Sequence, residues 1–385
     1  MANEKTVVVL GGGIGGVVAA SELRKRLSKE HSVILIEKEN THRFSPSYLW
    51  LMIDQREAHQ IERPIENLRS RGVTVVTETV EHIDPSTRKI KAGGREYQAD
   101  YLVVALGAEL APEAVPGLAE SGYNLYTLSG AESLRRARKE LRAGRVVVLV
   151  SAMPFKCPAA PYEAAMLLES DFRKRGLRDR VSFAVYTPEP GPMPVTGQAN
   201  SDKVKQMVES KGIEFFPGHA VKTVDRASRT LEFANGAEAT FDLLAYIPPH
   251  RAPAVVREAG LTEESGWVPV DKHKLTTRFP NVYAIGDVVG IMLAFGKPLP
   301  KAGVFAHGQA EVVANNIANE ITGKGRAHTF DGHGSCYIEV GDGRAGMGSG
   351  NFYADPAPDI RIRYPSMFHH FGKVLVEKYW LYRWF

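Results

Sequence analysis

The sequence predicts an α/β protein with two Rossmann-like domains and a helical region at the C-terminus. Two β-branched runs, at 6–10 and 145–150, are typical of buried parallel strands, and a glycine-rich loop directly follows the first. The last 21 residues carry apolar side chains at helical spacing. We expect the first domain at 1–112 and 271–325, the second domain at 113–270, and a C-terminal region at 326–385.

Composition excludes several classes of protein. The chain has 385 residues, of which 44% are hydrophobic and 24% charged, as in a folded globular protein. A net charge of +4 is too small to indicate nucleic-acid binding. No apolar run reaches the roughly 18–20 residues of a membrane-spanning helix, and the N-terminus shows no apolar export segment. With two cysteines and no CxxC pair, we expect neither a disulfide scaffold nor a metal site.

The glycine loop after the first strand predicts a dinucleotide site. Its pattern is G-x-G-x-x-G: Gly11 allows the tight turn, Gly13 lets a pyrophosphate approach the backbone, and Gly16, next to Gly15, lets the following helix pack closely. A second strand at 32–36 ends in Glu37, followed by Lys38. An acid at this place suits a ribose 2′-hydroxyl.

Two later segments decide which dinucleotide is expected. DYLVVALG (100–107) and NVYAIGD (281–287) both read as strands that end in glycine, and together they resemble the paired motifs of the two-dinucleotide-binding-domain flavoprotein family. This resemblance implies FAD, with Ala105 to Gly107 closing over it and Asp287, after Gly286, bonding its ribityl chain. Taken alone, a turn or N-cap aspartate would be the more common explanation of Asp287, and its pairing with the first segment favours the cofactor role. The resemblance also places Arg43 near the FAD phosphates, Pro46 beside the flavin and Val80 beside the adenine.

The second nucleotide motif of that family is missing. The strand at 145–150 is followed by SAMPFKCPAAPYE (151–163), which has no glycine and three prolines. Proline removes backbone donors and stiffens the chain, so we expect no nicotinamide cofactor here.

Three segments narrow the resemblance further. KCPAAPYE (156–163), GSCYIE (334–339) and PKAGVFAH (300–307) resemble sulfide:quinone oxidoreductases and the flavoprotein subunit of flavocytochrome c sulfide dehydrogenases. The resemblance implies that Cys157 and Cys336 form a redox-active disulfide that hydrosulfide attacks, with Cys336 facing the flavin and Cys157 carrying the persulfide. The alternative is that both are merely small buried side chains.

The same resemblance assigns supporting residues. Lys301 comes just before a helix that begins at Gly303 and Val304. The resemblance implies that its ammonium group stabilises the reduced flavin, and the alternative is a lysine exposed to solvent. Glu163 is a candidate proton acceptor, although its place in the first turn of a helix is an equally good reason for an acid there.

One departure concerns a third cysteine. Many sulfide:quinone oxidoreductases carry it upstream, in some members as a thioether to the flavin, and the corresponding stretch 121–126 has none. We therefore expect FAD that is not linked through cysteine. A flavocytochrome c type dehydrogenase and a type II NADH:quinone dehydrogenase are the alternative functions.

The C-terminal 365–385 stretch is rich in aromatic residues interleaved with Lys373, Lys378 and Arg383. Its apolar positions fall at three- and four-residue spacings, as in an interfacial membrane helix, and packing into the core or an oligomer interface is the alternative. The expected apolar quinone slot is walled by Phe352, Tyr353, Phe368 and Phe371. We thus expect a protein peripheral to the cell membrane, on its cytoplasmic side, that takes sulfide and a quinone such as ubiquinone or menaquinone. A homo-oligomer is left open.

Overall fold

The computed structural model describes residues 4–385, and each structural statement below refers to that part of the chain. Its helices are α1 (Ile14–Arg26), α2 (Tyr48–Leu51), α3 (Leu118–Ser121), α4 (Leu128–Glu140), α5 (Ala160–Lys174), α6 (Gln198–Glu209), α7 (Ala254–Glu258), α8 (Gly303–Thr322) and α9 (Met367–Arg383). Its strands are β1 (Thr6–Leu10), β2 (Ser32–Ile36), β3 (Thr41–Arg43), β4 (Glu62–Pro64), β5 (Thr74–Val76), β6 (Val80–Asp84), β7 (Lys89–Ala92), β8 (Arg95–Gln98), β9 (Tyr101–Val104), β10 (Glu109–Leu110), β11 (Tyr123–Asn124), β12 (Gly144–Val150), β13 (Val181–Tyr186), β14 (Glu214–Phe216), β15 (Val221–Asp225), β16 (Thr230–Phe233), β17 (Glu238–Thr240), β18 (Leu243–Ile247), β19 (His250–Arg251), β20 (Val268–Pro269), β21 (Val282–Ala284), β22 (Val289–Gly290), β23 (His333–Gly341), β24 (Arg344–Asn351) and β25 (Asp359–Ser366).

The first large sheet is parallel throughout, with the strand order β21-β9-β1-β2-β5. Its central strand β1 carries Val7, Val8 and Val9, all fully buried, as expected of a strand covered on both faces. The helices α1 and α8 pack on each other beside this sheet. Because β2 and β9 lie on opposite sides of β1, the chain reverses its winding direction there, and a crevice opens at the carboxyl ends of the strands.

The second large sheet repeats the plan around β12, with the parallel order β11-β18-β12-β13-β14. The loop 151–159 leaves the carboxyl end of β12 and leads into α5, which is buried along almost its whole length. These two sheets confirm the predicted α/β class. The chain then returns to the first sheet at β21, and the domain boundaries stay predictions.

The C-terminal region contains more than the predicted helix. Strands β23, β24 and β25 form an antiparallel sheet that packs between α5 and α9. Glycine at every other position of β24 (Gly346, Gly348 and Gly350) hides the strand from a sequence reading based on β-branched runs. This sheet brings Cys336, on β23, towards the second Rossmann-like sheet.

Helix α9 has one docked face and one exposed face. Trp380, Leu381 and Trp384 are buried in the core of the first sheet, whereas Phe368 and Tyr382 are 86% and 85% exposed. Core packing and an apolar outer surface, which the sequence offered as alternatives, therefore occur on the same helix. No helix within residues 4–385 combines the length and hydropathy needed to cross a bilayer.

Two buried polar contacts attach α9 to the first domain. The carboxylate of Glu377 is fully buried, accepts a hydrogen bond from Ser47 Oγ and pairs with Arg56 Nε at 2.9 Å. His42 Nδ1 lies 2.9 Å from the carbonyl of Gly12, while its Nε2 accepts a hydrogen bond from the Trp380 indole at 3.0 Å. Burial lowers the pKa of His42 to about 4, which keeps the ring neutral for these two roles.

We predict that Glu377→Ala destabilises the protein by about 3–5 kcal/mol, because it leaves the Arg56 guanidinium without its buried partner. The measurement is the midpoint and slope of guanidinium-induced unfolding. Val376→Ala is the matched control, since Val376 is the preceding residue of α9, is half exposed and takes no part in the ion pair. Equal midpoints for the two variants would contradict the anchoring role of the ion pair.

Candidate active site

The glycine loop lies between β1 and α1 at the crevice of the first sheet. Gly11 has φ +98°, and a Cβ there would lie 2.5 Å from the carbonyl oxygen of Ala105. A Cβ on Gly16 would lie 1.7 Å from the Gly11 oxygen, so only glycine fits at either place. A Cβ on Gly13 meets nothing within 4 Å, which leaves open backbone at the N-terminus of α1. This open cradle fits a dinucleotide pyrophosphate.

The other predicted nucleotide residues surround this loop. The Glu37 carboxylate, at the end of β2, accepts the Gly12 N–H, and Lys38 beside it is exposed. Gly15 packs on Ile285, and Val80 opens β6.

The predicted loop at 43–47 carries an ion pair and a helical turn. Arg43 Nε pairs with Glu62 Oε1 at 2.9 Å, and Pro46 lies in the 3₁₀ turn Ser45–Ser47. Their contacts with FAD stay predictions.

The two glycine-ended strands of the first sheet meet at the same edge. Ala105 N–H bonds the Leu10 carbonyl, and Ile285 N–H bonds that of Val104. Gly107 and Gly286 follow these strands with φ +66° and +77°, in the left-handed region that favours glycine. Asp287 comes next. Burial raises the pKa of its carboxyl group, and the positive charges of Lys156 and Lys301 partly offset this rise.

Lys301 is buried rather than solvated. Its Nζ donates to the carbonyls of Asp287 at 2.7 Å and Val289 at 2.9 Å and lies 3.3 Å from the Trp267 ring centroid. Burial lowers its pKa to about 8. Helix α8 begins two residues later at Gly303, next to Val304 and against Ile14 of α1. Whether the Lys301 ammonium also serves the flavin stays a prediction.

Cys157 is held by the backbone of that same segment. Its N–H bonds the Lys301 carbonyl at 2.7 Å, and Lys156 and Lys301 form a parallel bridge. Cys157 has φ +52°, an unusual conformation for a residue with a Cβ, and Tyr126 Oη donates to the carbonyl of Lys156. The backbone around Cys157 is thus strained and tied down at the boundary between the two sheets.

Cys336 approaches from the C-terminal sheet. Both cysteines are half-buried; Cys157 lies three residues before α5, and β23, which carries Cys336, packs on α5 through the hydrogen bond from the Glu339 N–H to Glu163. The charge of Cys336 also contributes to raising the pKa of Cys157. Burial is the largest cause for both thiols and raises the pKa of Cys336 to about 11, with a further contribution from Glu163. The structure therefore brings the two predicted sulfur residues together, and their disulfide stays a prediction.

Glu163 is fully buried and already has partners. Its Oε1 accepts the N–H of Glu339 at 2.8 Å and forms an ion pair with Lys373 Nζ. His370 Nδ1 lies 2.9 Å from Glu339 Oε1. The sequence reading missed Lys373, Glu339 and His370 as neighbours of the cysteines. The sequence signal for the two α9 residues was that His370, Lys373 and Glu377 recur at helical spacing along one side of an otherwise apolar helix.

The four residues expected at the quinone slot lie in two parts of the C-terminal region. Phe352 packs edge to face on Phe305, and Tyr353 packs on Phe330 and donates to the Lys272 carbonyl, all beside the core of the first sheet. Phe368 and Phe371 instead lie on the exposed face of α9. Whether these four side chains wall one quinone slot stays a prediction.

The fold and the site define an oxidoreductase with one open dinucleotide cradle and a cysteine pair at the second sheet. Residues 5–310 match the pyridine nucleotide-disulphide oxidoreductase family, and the chain belongs to it. It is 28% identical to the sulfide-quinone reductase of Aquifex aeolicus, over 98% of this chain and 91% of that protein. It is 25% identical to the mitochondrial sulfide:quinone oxidoreductase of Mus musculus, over 92% of this chain and 80% of that protein.

A solved structure agrees with these relatives. The X-ray structure of the sulfide:quinone oxidoreductase from Aquifex aeolicus matches with a TM-score of 0.89 at 26% identity, covering 99% of this chain and 91% of that one. The resemblance to sulfide:quinone oxidoreductases predicted from the sequence is confirmed.

We predict that Gly16→Ala lowers the thermal midpoint of the apoprotein, because its Cβ collides with the Gly11 carbonyl. Gly13→Ala is its matched partner: it leaves the apoprotein midpoint unchanged and weakens FAD binding by about tenfold or more, because a methyl group enters the open cradle. Calorimetry of the apoprotein and FAD fluorescence titration measure the two effects. Wild-type FAD affinity in Gly13→Ala would show that the cofactor does not use this cradle.

Proposed function

We propose that this protein is a sulfide:quinone oxidoreductase, which oxidises sulfide and passes the electrons through FAD to a membrane quinone. The observation that carries the proposal is the position of the cysteine pair. Cys157 lies in the loop after β12, where a nucleotide-binding glycine loop would stand, and its backbone is bonded to Lys301 next to the FAD cradle. A sulfur pair at this boundary can exchange electrons with a flavin in the first domain.

The proposed sulfur chemistry uses Cys157 and Cys336 as a disulfide. Hydrosulfide attacks the Cys157 sulfur, the bond between the two cysteines breaks, and a persulfide forms on Cys157 while Cys336 leaves as thiolate. One S–S bond forms as another breaks, and the negative charge moves from hydrosulfide to Cys336. The persulfide proton then needs an acceptor, for which Glu163 is the proposed group.

The cofactor in this proposal is FAD held without a cysteine link. Gly11, Gly13 and Gly16 would hold its pyrophosphate, Glu37 its adenosine ribose, and Asp287 its ribityl chain. When bound, FAD supplies the two-electron redox chemistry between sulfur and quinone. Lys301, whose pKa is about 8, would provide positive charge near the flavin.

We propose that the second sheet has no room for a second dinucleotide. Pro158 and Pro161 stiffen the entry to α5, and Tyr162 Oη donates to the buried carboxylate of Glu189. Burial raises the pKa of Glu189 to about 7, although Tyr162 and Thr187 stabilise its charge. Side chains of this chain thus fill the strand ends where related folds bind a nicotinamide cofactor.

The quinone would be reached from a membrane surface on which α9 lies. Its outer face presents large apolar side chains, with the cations Lys378 and Arg383 near its C-terminal end: Met367, Phe368, Phe371, Leu375, Tyr379 and Tyr382 are all more than half exposed. Aromatic side chains flanked by cations suit the headgroup region of an anionic bilayer. Phe352 and Tyr353 remain the proposed apolar residues on the quinone path.

We predict that sulfide bleaches the flavin absorbance of the anaerobic wild type, and that Cys157→Ser and Cys336→Ser each slow this reduction by about a hundredfold or more. Ser335→Ala is the matched control, because Ser335 is an exposed neighbour of Cys336 on β23. Stopped-flow spectroscopy gives the rates. Full-rate reduction in both cysteine variants would rule out the sulfur relay, and flavin reduction by NADH would contradict the proposal for the second sheet.

We predict that the double variant Phe368→Ser/Leu375→Ser binds anionic lipid vesicles at least about tenfold more weakly than wild type, because two exposed apolar side chains no longer enter the bilayer. Co-sedimentation with phosphatidylglycerol-containing vesicles measures binding. Met292→Ser is the control, since Met292 is a similarly exposed apolar residue outside α9. Equal loss of binding in the control would contradict a membrane role specific to α9.

A further inference from the structure

The inner face of α9 carries two basic side chains into the neighbourhood of the thiols. The Lys373 ammonium pairs with Glu163 and lies 5.2 Å from the Trp50 ring centroid. One helical turn earlier, His370 pairs with Glu339 at 2.9 Å. Both carboxylates are 1% exposed, so this is a buried cluster of two acids and two bases.

The backbone of β23 determines how the cluster is built. β23 is the edge strand of its sheet, and the N–H of Glu339 donates to Glu163 of α5. Cys336 lies three residues earlier on this strand, so the position of the strand relative to α5 also sets the distance between Cys336 and Glu163. Trp50 packs edge to face on His370, with Arg56 stacked over the same indole at 4.6 Å.

The negative and positive charges of this cluster shift the pKa of the thiols in opposite directions. Burial and the Glu163 carboxylate raise the pKa of each thiol, whereas the Lys373 ammonium opposes that rise for both. Other titratable groups around the cysteines include Tyr126, which donates to the Cys157 carbonyl at 3.4 Å, the chain neighbours Lys156 and Tyr337, and the Glu339–His370 pair. Lys373 is the cation of this set that lowers the pKa of both cysteines.

We infer that Lys373, carried by the C-terminal helix, is a positioning residue that serves as counter-cation of the cysteine pair, held in place by Glu163, Glu339 and His370. The inference rests on the proposed function. When hydrosulfide opens the disulfide, its charge passes to the departing Cys336 thiolate while its proton stays on the new terminal sulfur. An ammonium beside the pair stabilises the negative charge before and after this step. The helix proposed to bind the membrane thereby also supplies part of the sulfide site.

The test measures thiol reactivity in the reduced FAD-bound protein from pH 6.5 to pH 9.5. Each cysteine's iodoacetamide alkylation rate is followed by mass spectrometry of its peptide, because only the thiolate reacts. Lys373→Met is expected to slow alkylation by about tenfold and to shift its pH profile upward, since one pKa unit changes the thiolate fraction tenfold. Lys373→Arg is expected to restore the profile, and Lys378→Met on the exposed face of α9 is the matched control.

We expect Glu163→Gln to change the alkylation rate in the opposite direction from Lys373→Met. Removing that carboxylate frees the Lys373 charge, so alkylation is expected to become faster and its profile to shift to lower pH. A merely structural role would not move the two variants in opposite directions, and Lys373→Gln replaces Lys373→Met if that variant does not fold. Slower alkylation in Glu163→Gln, or a wild-type profile in Lys373→Met, would overturn the inference. The proposed function fails separately, if sulfide does not reduce the flavin of the wild-type protein.

Discussion

The backbone bridge between the cysteine loop and the segment before α8 is the contact on which the proposed site depends. The N–H of Cys157 bonds the carbonyl of Lys301, so a loop that leaves the second sheet is attached to the segment that opens the last helix of the first. The Lys301 side chain in turn bonds the carbonyls after β21, next to Asp287. One residue thus connects the sulfur loop by its backbone and the cofactor edge by its side chain. We therefore expect substitution of the Lys301 side chain to disturb the cofactor edge, and displacement of the Lys301 backbone to disturb the loop that carries Cys157.

Helix α9 depends on a second set of buried contacts. Glu377, Trp380 and the neutral ring of His42 attach it to the first domain, and His42 also contacts the Gly12 carbonyl inside the glycine loop. Lys373 and His370 attach the same helix to the acids near the cysteines. A single amphipathic helix is therefore connected on its inner face to the glycine loop through His42 and to Glu163 through Lys373, while its outer face is apolar and exposed. This arrangement gives a physical reason why membrane binding and catalysis would be located at the same end of the chain.

Local patterns were sufficient for the elements with strong periodicity. The strands at 6–10, 32–36 and 144–150 and the helices after the glycine loop and after Lys301 occur where the β-branched runs and glycines predicted them. The antiparallel sheet of β23 to β25 was not predicted: its glycines weaken the strand signal of β24, although the alternating charged and apolar residues at 359–363 are the pattern of a half-buried strand. The aromatic C-terminus was predicted as a helix, but its spacing alone could not assign Trp380 to the core and Phe368 to the surface. Those assignments depend on which face meets the rest of the protein.

The sequence by itself determined the α/β class, the single glycine cradle, the absent second nucleotide motif and the two sulfur residues. Each of these follows from residues that are close together in the chain, where turn geometry, proline and strand propensity act locally. Only the tertiary structure decided that Lys301 is buried against carbonyls, that Glu163 is paired with Lys373, and that Phe368 is exposed. Glu163 and Lys373 are 210 positions apart, and their contact exists only because α5, β23 and α9 pack together. The pairing of buried charges is a property of that packing, since each charge needs a partner that the fold, not the neighbouring sequence, brings within reach.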